Sequence, residues 1–136
     1  MRVEKVYMEV SELKQQMEAY LTQGKVKMQR QIKELQQKGD EKAAKLEMEK
    51  LDVYDIFTTM LNASMLKVTL NKSIKPEERK KKFCEDYLIQ FITMPKEWRI
   101  NYAAAVEKKN IEEMESYKVK LDTTQEIRTT FLKLIS

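Results

Sequence analysis

Apolar residues recur every third or fourth position from the start of the chain: Val3, Val6, Val10, Leu13, Met17, Leu21, then Gly24, Met28, Ile32 and Leu35. This spacing follows one face of an α-helix, and its early three–four alternation is the seam of a coiled coil. From Leu13 the steps become four, four, three and repeat, a rhythm of about 11 residues that relaxes a left-handed supercoil toward straight packing. The pattern predicts one helix from Val3 to Lys38. Gly24 lies on its seam and costs about 1 kcal/mol inside a helix, so it marks either a break or a close approach by another helix.

Gly39-Asp40 is the clearest stop. Glycine suits the left-handed residue just past a helix, and aspartate is a preferred N-cap for the next one. A second helix is expected from Glu41 to about Leu70. Two such helices about a two-residue joint form an antiparallel hairpin on the order of 50 Å long at about 1.5 Å per residue. In the second helix, Ala44, Leu46 and Met48 stand among charges, whereas Leu51 to Leu70 is apolar on several faces. The latter half is therefore expected to be buried on all sides, and Glu41 to Lys50 to project, covered only by the first helix.

A third helix is expected to begin around Lys75-Pro76-Glu77-Glu78, capped by Ser73, since proline is tolerated in a first turn. Its apolar stripe is Phe83, Tyr87 and Phe91, with Cys84, Leu88 and Ile92 beside it. Thr93-Met94-Pro95 ends it and opens a fourth helix carrying Trp98, Tyr102, Ala105 and Val106. Asn110-Ile111-Glu112-Glu113 has the form of a capping box, and Thr123-Thr124-Gln125-Glu126 offers a second one. The stretch after Asn110 is thus read equally well as one helix or two. The expectation is an all-α protein: a long N-terminal antiparallel helical hairpin (1–72) continuing into a small C-terminal helical bundle (73–136), about five or six helices forming one folding unit.

Composition narrows the chemistry. The 136 residues include no histidine, one cysteine, two glycines and two prolines. Without histidine there is no Ser-His or Cys-His nucleophile pair and no imidazole metal ligand, and one thiol cannot build a tetrathiolate zinc site. Gly24 and Gly39 stand alone, so no glycine-rich phosphate loop is present. No catalytic, cofactor-binding or metal-binding residue is assigned, and the chain is read as a non-enzyme with no cofactor. The charged opening Met1-Arg2-Val3-Glu4-Lys5 is unlike a secretory signal, no apolar run reaches membrane-spanning length, and the single cysteine suits a reducing, cytoplasmic setting without membrane contact.

Charge and exposure supply the remaining candidates. The net charge of +4 is mild, but Arg79-Lys80-Lys81-Lys82 is dense enough to suggest a nucleic-acid or other anion contact. The hairpin tip carries the main functional expectation. Two helices alone leave apolar surface uncovered, and Met28, Ile32, Leu35, Ala44 and Met48 would form it. Such surface on a projecting element marks an interface. The function expected is a helical adaptor or regulator that binds itself or another helical protein. A nucleic-acid-binding regulator using residues 79–82 is the alternative.

Overall fold

The structure, a computed structural model, describes residues 2–136, with side chains from Val10 onward. The seam positions Val3 and Val6 lie outside the residues whose side chains are described. Helices are the only regular structure among the described residues, as the apolar periodicity requires. The first helix, α1 (Arg2–Gln37), runs through Gly24 without a break. It stops where Gly39 takes φ 77, a conformation glycine adopts at no steric cost. The amide of Asp40 then bonds back to the Leu35 carbonyl (2.9 Å) and that of Gly39 to Gln36 (3.1 Å). This pairing satisfies the last carbonyls of α1. Asp40 also starts α2 (Glu41–Leu70), its carboxylate accepting from the Ala43 amide.

The hairpin forms as expected, and its register is fixed at mid-length. A Cβ on Gly24 would lie 2.4 Å from Tyr54 Cε2. Gly24 is therefore neither break nor hinge: it is the place where the Tyr54 ring presses against the backbone of α1. The Tyr54 hydroxyl shares a hydrogen bond with that of Tyr20 (2.9 Å).

After a 3-10 turn at Pro76–Glu78, α3 (Arg79–Thr93) returns antiparallel to α2. The Ser64 hydroxyl donates to Asp86 (2.6 Å), and the Tyr87 hydroxyl donates to the Phe57 carbonyl (3.0 Å). Ser73 caps nothing; its amide donates to the Asn71 side chain, and the residue preceding the turn is Lys75. Next come α4 (Lys96–Glu107) and α5 (Ile111–Ile135). The α4–α5 joint repeats the α1–α2 joint. The Asn110 amide bonds to the Ala105 carbonyl and that of Lys109 to Val106, while the Asn110 side chain accepts from the Glu113 amide. Here, however, the left-handed residue is Lys109 (φ 57) rather than a glycine.

The segment after Asn110 is one helix. Thr123 and Thr124 do not cap: both are buried, and their hydroxyls donate to the Val119 and Lys120 carbonyls one turn back. A threonine hydroxyl bonded in this way is compatible with a helix interior.

At the base, α1, α2, α3 and the second half of α5 meet around Phe57, Phe83, Tyr87, Phe91 and Phe131. Phe57 and Phe91 stack at 4.4 Å, and Phe131 meets Tyr87 edge-on at 4.8 Å. Fully burying a side chain of this size contributes about 1.5–3 kcal/mol. The helix Leu51 to Leu70 is buried along one stripe only: Val53, Tyr54, Phe57, Leu61, Ser64 and Val68 are covered, whereas Leu66 and Leu70 face solvent. Glu41 to Lys50 does not project. The first half of α5 lies along it, through Lys42–Glu115 (3.2 Å), Lys45–Glu112 (3.6 Å) and the Ser116 hydroxyl donating to Glu49 (2.6 Å).

Candidate interaction surface

The lie of α5 changes what the hairpin tip presents. Met28, Ile32 and Ala44 are buried within the single chain, and Leu35 is half-buried. Of the five tip residues expected at the surface, only Met48 is exposed. The expectation assumed two helices where a third is present. The basic run is divided as well. Arg79 and Lys80 are half-buried, while Lys81 and Lys82 are exposed and Lys81 lies 3.9 Å from Glu85. Consecutive residues on a helix point in all directions, so the four do not make one cationic face.

Cys84 is half-buried beside the aromatic cluster. Burial pushes its thiol above the usual range, a shift that Lys80 partly opposes and Glu85 reinforces. Such a thiol behaves as a small hydrophobe more than as a nucleophile. Among the described residues no three carboxylates or thiols cluster in a way that would hold a metal. The aromatics expected on α3 and α4 divide between roles: Tyr87 and Phe91 are core, whereas Trp98 is half-buried with the Lys120 ammonium 5.7 Å from its ring.

Apolar side chains face solvent on each helix, Val26 on α1, Leu66 and Leu70 on α2 and Ile111 on α5 among them, and a run of them also crosses from α3 to α4. Met94 keeps helical angles (φ −63, ψ −44), whereas Pro95 leaves them (φ −82, ψ 1), and the chain bends between α3 and α4. Pro95 has no N–H to offer the Phe91 carbonyl four residues back, and Arg99 Nη2 bonds the neighbouring Ile92 carbonyl (2.8 Å). Ile89, Ile92, Lys96, Ile100, Ala103 and Glu107 follow at steps of three, four, four, three and four, all exposed. Ile89, Ile92 and Ile100 are 52%, 63% and 60% exposed.

The opposite side of α4, with Trp98 and the buried Ala105, packs on α5, its principal neighbour. A short helix with one apolar face buried and a second uncovered is the feature sequence reading missed. The signal was present as Ile100 and Ala103 lying across the helix from Trp98 and Ala105.

Comparison with protein-family models, curated proteins and solved structures found no match.

Two concavities flank the α2–α5 layer. One, of about 440 Å³, lies between α1 and α2 and is lined by Tyr20, Gly24, Tyr54, Lys50 and Glu126 among others. Its deep end holds the tyrosine pair, with Tyr54 also reaching Glu126 (3.4 Å). Burial, the Tyr20 hydrogen bond and Glu126 all raise the Tyr54 phenol well above its ordinary value. The second, of about 520 Å³, lies between the first turns of α2 and α5.

Proposed function

We propose that the chain is a non-enzymatic helical interaction module that self-associates through the outward face of α4. The observation that carries this reading is the exposed seam Lys96, Ile100, Ala103, Glu107, whose charges are opposite at its two ends. If two copies pair antiparallel about the middle of α4, Lys96 faces the other copy's Glu107, twice by symmetry. Ile100 then lies over the small Ala103. A twofold contact of this kind is isologous and closes on itself.

Parallel pairing would oppose like charges, so the charge order favours the antiparallel form. One helix face sits at the low end of interface sizes, below about 1,200 Å² in total, the class of weak reversible contacts. The dimer is expected to be concentration-dependent. A reducing, cytoplasmic setting belongs to the same proposal, resting on the single cysteine of the chain.

Charge exchange tests the pairing. Lys96→Glu and Glu107→Lys should each weaken the dimer by placing like charges together, and the double variant should restore it. Equal association by all four proteins would remove this face from consideration. A different helical protein as the natural occupant would appear as a monomer at every concentration.

A further inference from the structure

We infer that the end of the bundle where α2 gives way to α3 is a second surface, independent of the α4 face, and that it docks reversibly on an anionic lipid bilayer. Leu70, the last residue of α2, is 74% exposed, and Leu66, one turn earlier, is 56% exposed. Leu70 is the most exposed large apolar side chain among the described residues. Sequence reading expects α2 to be buried on all sides as far as Leu70 and so gives no reason to expect a membrane contact. These two side chains supply one.

The charge around them is basic. From Leu66 to Lys82 the chain holds seven basic and two acidic residues, a surplus greater than the +4 of the whole chain. Lys67, Lys72, Lys75, Lys81 and Lys82 are all exposed. Leu66, Lys67 and Leu70 lie within about 100° of one another around the helix axis. Lys67 and, from α3, Lys82 border one concavity of about 290 Å³, with Val68 and Ile74 also lining it. The leucines and the lysines of both helices therefore meet at one end of the molecule.

The acids nearby reduce the surplus without cancelling it. Asp86 pairs with Lys67 (3.1 Å) and accepts from the Ser64 hydroxyl, Glu85 lies 3.9 Å from Lys81, and Glu77 and Glu78 stand in the 3-10 turn. With all four counted, seven basic residues still face four acidic ones. Surface pairs such as Lys81–Glu85 hold their partners weakly.

Lipid is the occupant that answers both halves of this surface. A nucleic-acid backbone would satisfy the lysines but offers nothing to Leu66 and Leu70. The stretch from Leu66 to Lys82 also has no aromatic side chain to stack on a base. At an anionic bilayer the leucines enter the boundary between headgroups and acyl chains, the lysine stems lie along it, and their ammonium groups meet the lipid charges. Cytoplasmic leaflets carry such lipids, in keeping with the setting proposed above.

The experiment is cosedimentation of the full chain with sucrose-loaded vesicles of phosphatidylcholine, alone or mixed with phosphatidylserine. The chain should pellet with the mixed vesicles and not with the neutral ones, and binding should fall as salt rises. Lys72→Gln combined with Lys82→Gln should weaken it roughly 25-fold, about fivefold for each charge lost from the surface. Leu66→Ser combined with Leu70→Ser should weaken it roughly tenfold. All four side chains are exposed, so circular dichroism should show both variants folded as the parent is. Ile100→Asp should bind vesicles as the parent does, separating this surface from the α4 face.

No binding to the mixed vesicles at low salt overturns the assignment. A duplex oligonucleotide retained under the same conditions by the parent and the serine variant alike would then give the surface to nucleic acid. Vesicle binding that the serine variant leaves unchanged overturns it as well.

Discussion

Gly24→Ala should destabilise the protein, although alanine is the better helix former. At an open helical position the exchange would gain about 1 kcal/mol. Here the new methyl would sit 2.4 Å from Tyr54 Cε2 and 3.1 Å and 3.2 Å from its ring neighbours. The ring cannot simply swing aside, because Tyr54 is buried and its hydroxyl is tied to Tyr20 and Glu126. Overpacking of this kind costs about 1–3 kcal/mol, and moving the ring forfeits a hydrogen bond worth about 1 kcal/mol. Set against the propensity gain, the net loss is about 1–3 kcal/mol, or roughly 3–5 °C in melting temperature per kcal/mol for a chain of this size.

Urea denaturation followed by circular dichroism measures the loss. The decisive comparison is a double-mutant cycle. In a Tyr54→Ala background, itself costly, Gly24→Ala should change sign and stabilise, since nothing remains for the methyl to meet. If Gly24→Ala stabilises the otherwise unaltered chain, the ring does not lie on α1 and the hairpin register described above is wrong.

Other expectations follow from the joints and the core. Lys109→Gly should stabilise by about 1 kcal/mol, because a left-handed lysine carries the strain that glycine avoids, whereas Gly39→Ala should lose about as much; thermal melts compare the two. Asp40→Ala should cost about 1 kcal/mol through the lost N-cap, read in the same melts. The phenols of Tyr54 and Tyr87 are both raised, chiefly by burial, so the fold holds them protonated while an unfolded tyrosine ionises near pH 10. The stability this contributes is whole below about pH 10 and is lost as pH rises beyond it; ultraviolet titration should show these two phenols ionising only as the chain unfolds.

Sequence reading reached the elements whose signals are local. Gly39-Asp40 and Asn110 stand where a stop or a cap is needed, and the structure uses each of them. The second box, Thr123 to Glu126, has the same letters, yet nothing ends the helix before it, and buried threonines serve the interior of α5 instead. Ser73 failed for a similar reason, since the Asn71 side chain holds its amide. Lys109 carries no sign of its left-handed geometry, because the joint imposes that geometry on whatever residue stands there.

The candidate surfaces were less legible. Tip residues such as Ile32 and Ala44 have the same spacing whether two helices or three surround them, and only the path of α5 decides. The uncovered Ile100 of α4 depends on the same path, because α5 covers one face of that short helix and leaves the other. Gly24 was ambiguous until the aromatic ring it admits could be identified.

The most direct test of self-association through α4 is mass measured by sedimentation equilibrium over a wide concentration range, on the parent chain and on Ile100→Asp. The parent mass should rise from 16.2 kDa toward twice that value, while the Ile100→Asp chain keeps its helicity and stays at the lower mass. A parent that remains at 16.2 kDa throughout, or an Ile100→Asp variant that dimerises as well as the parent, would contradict it.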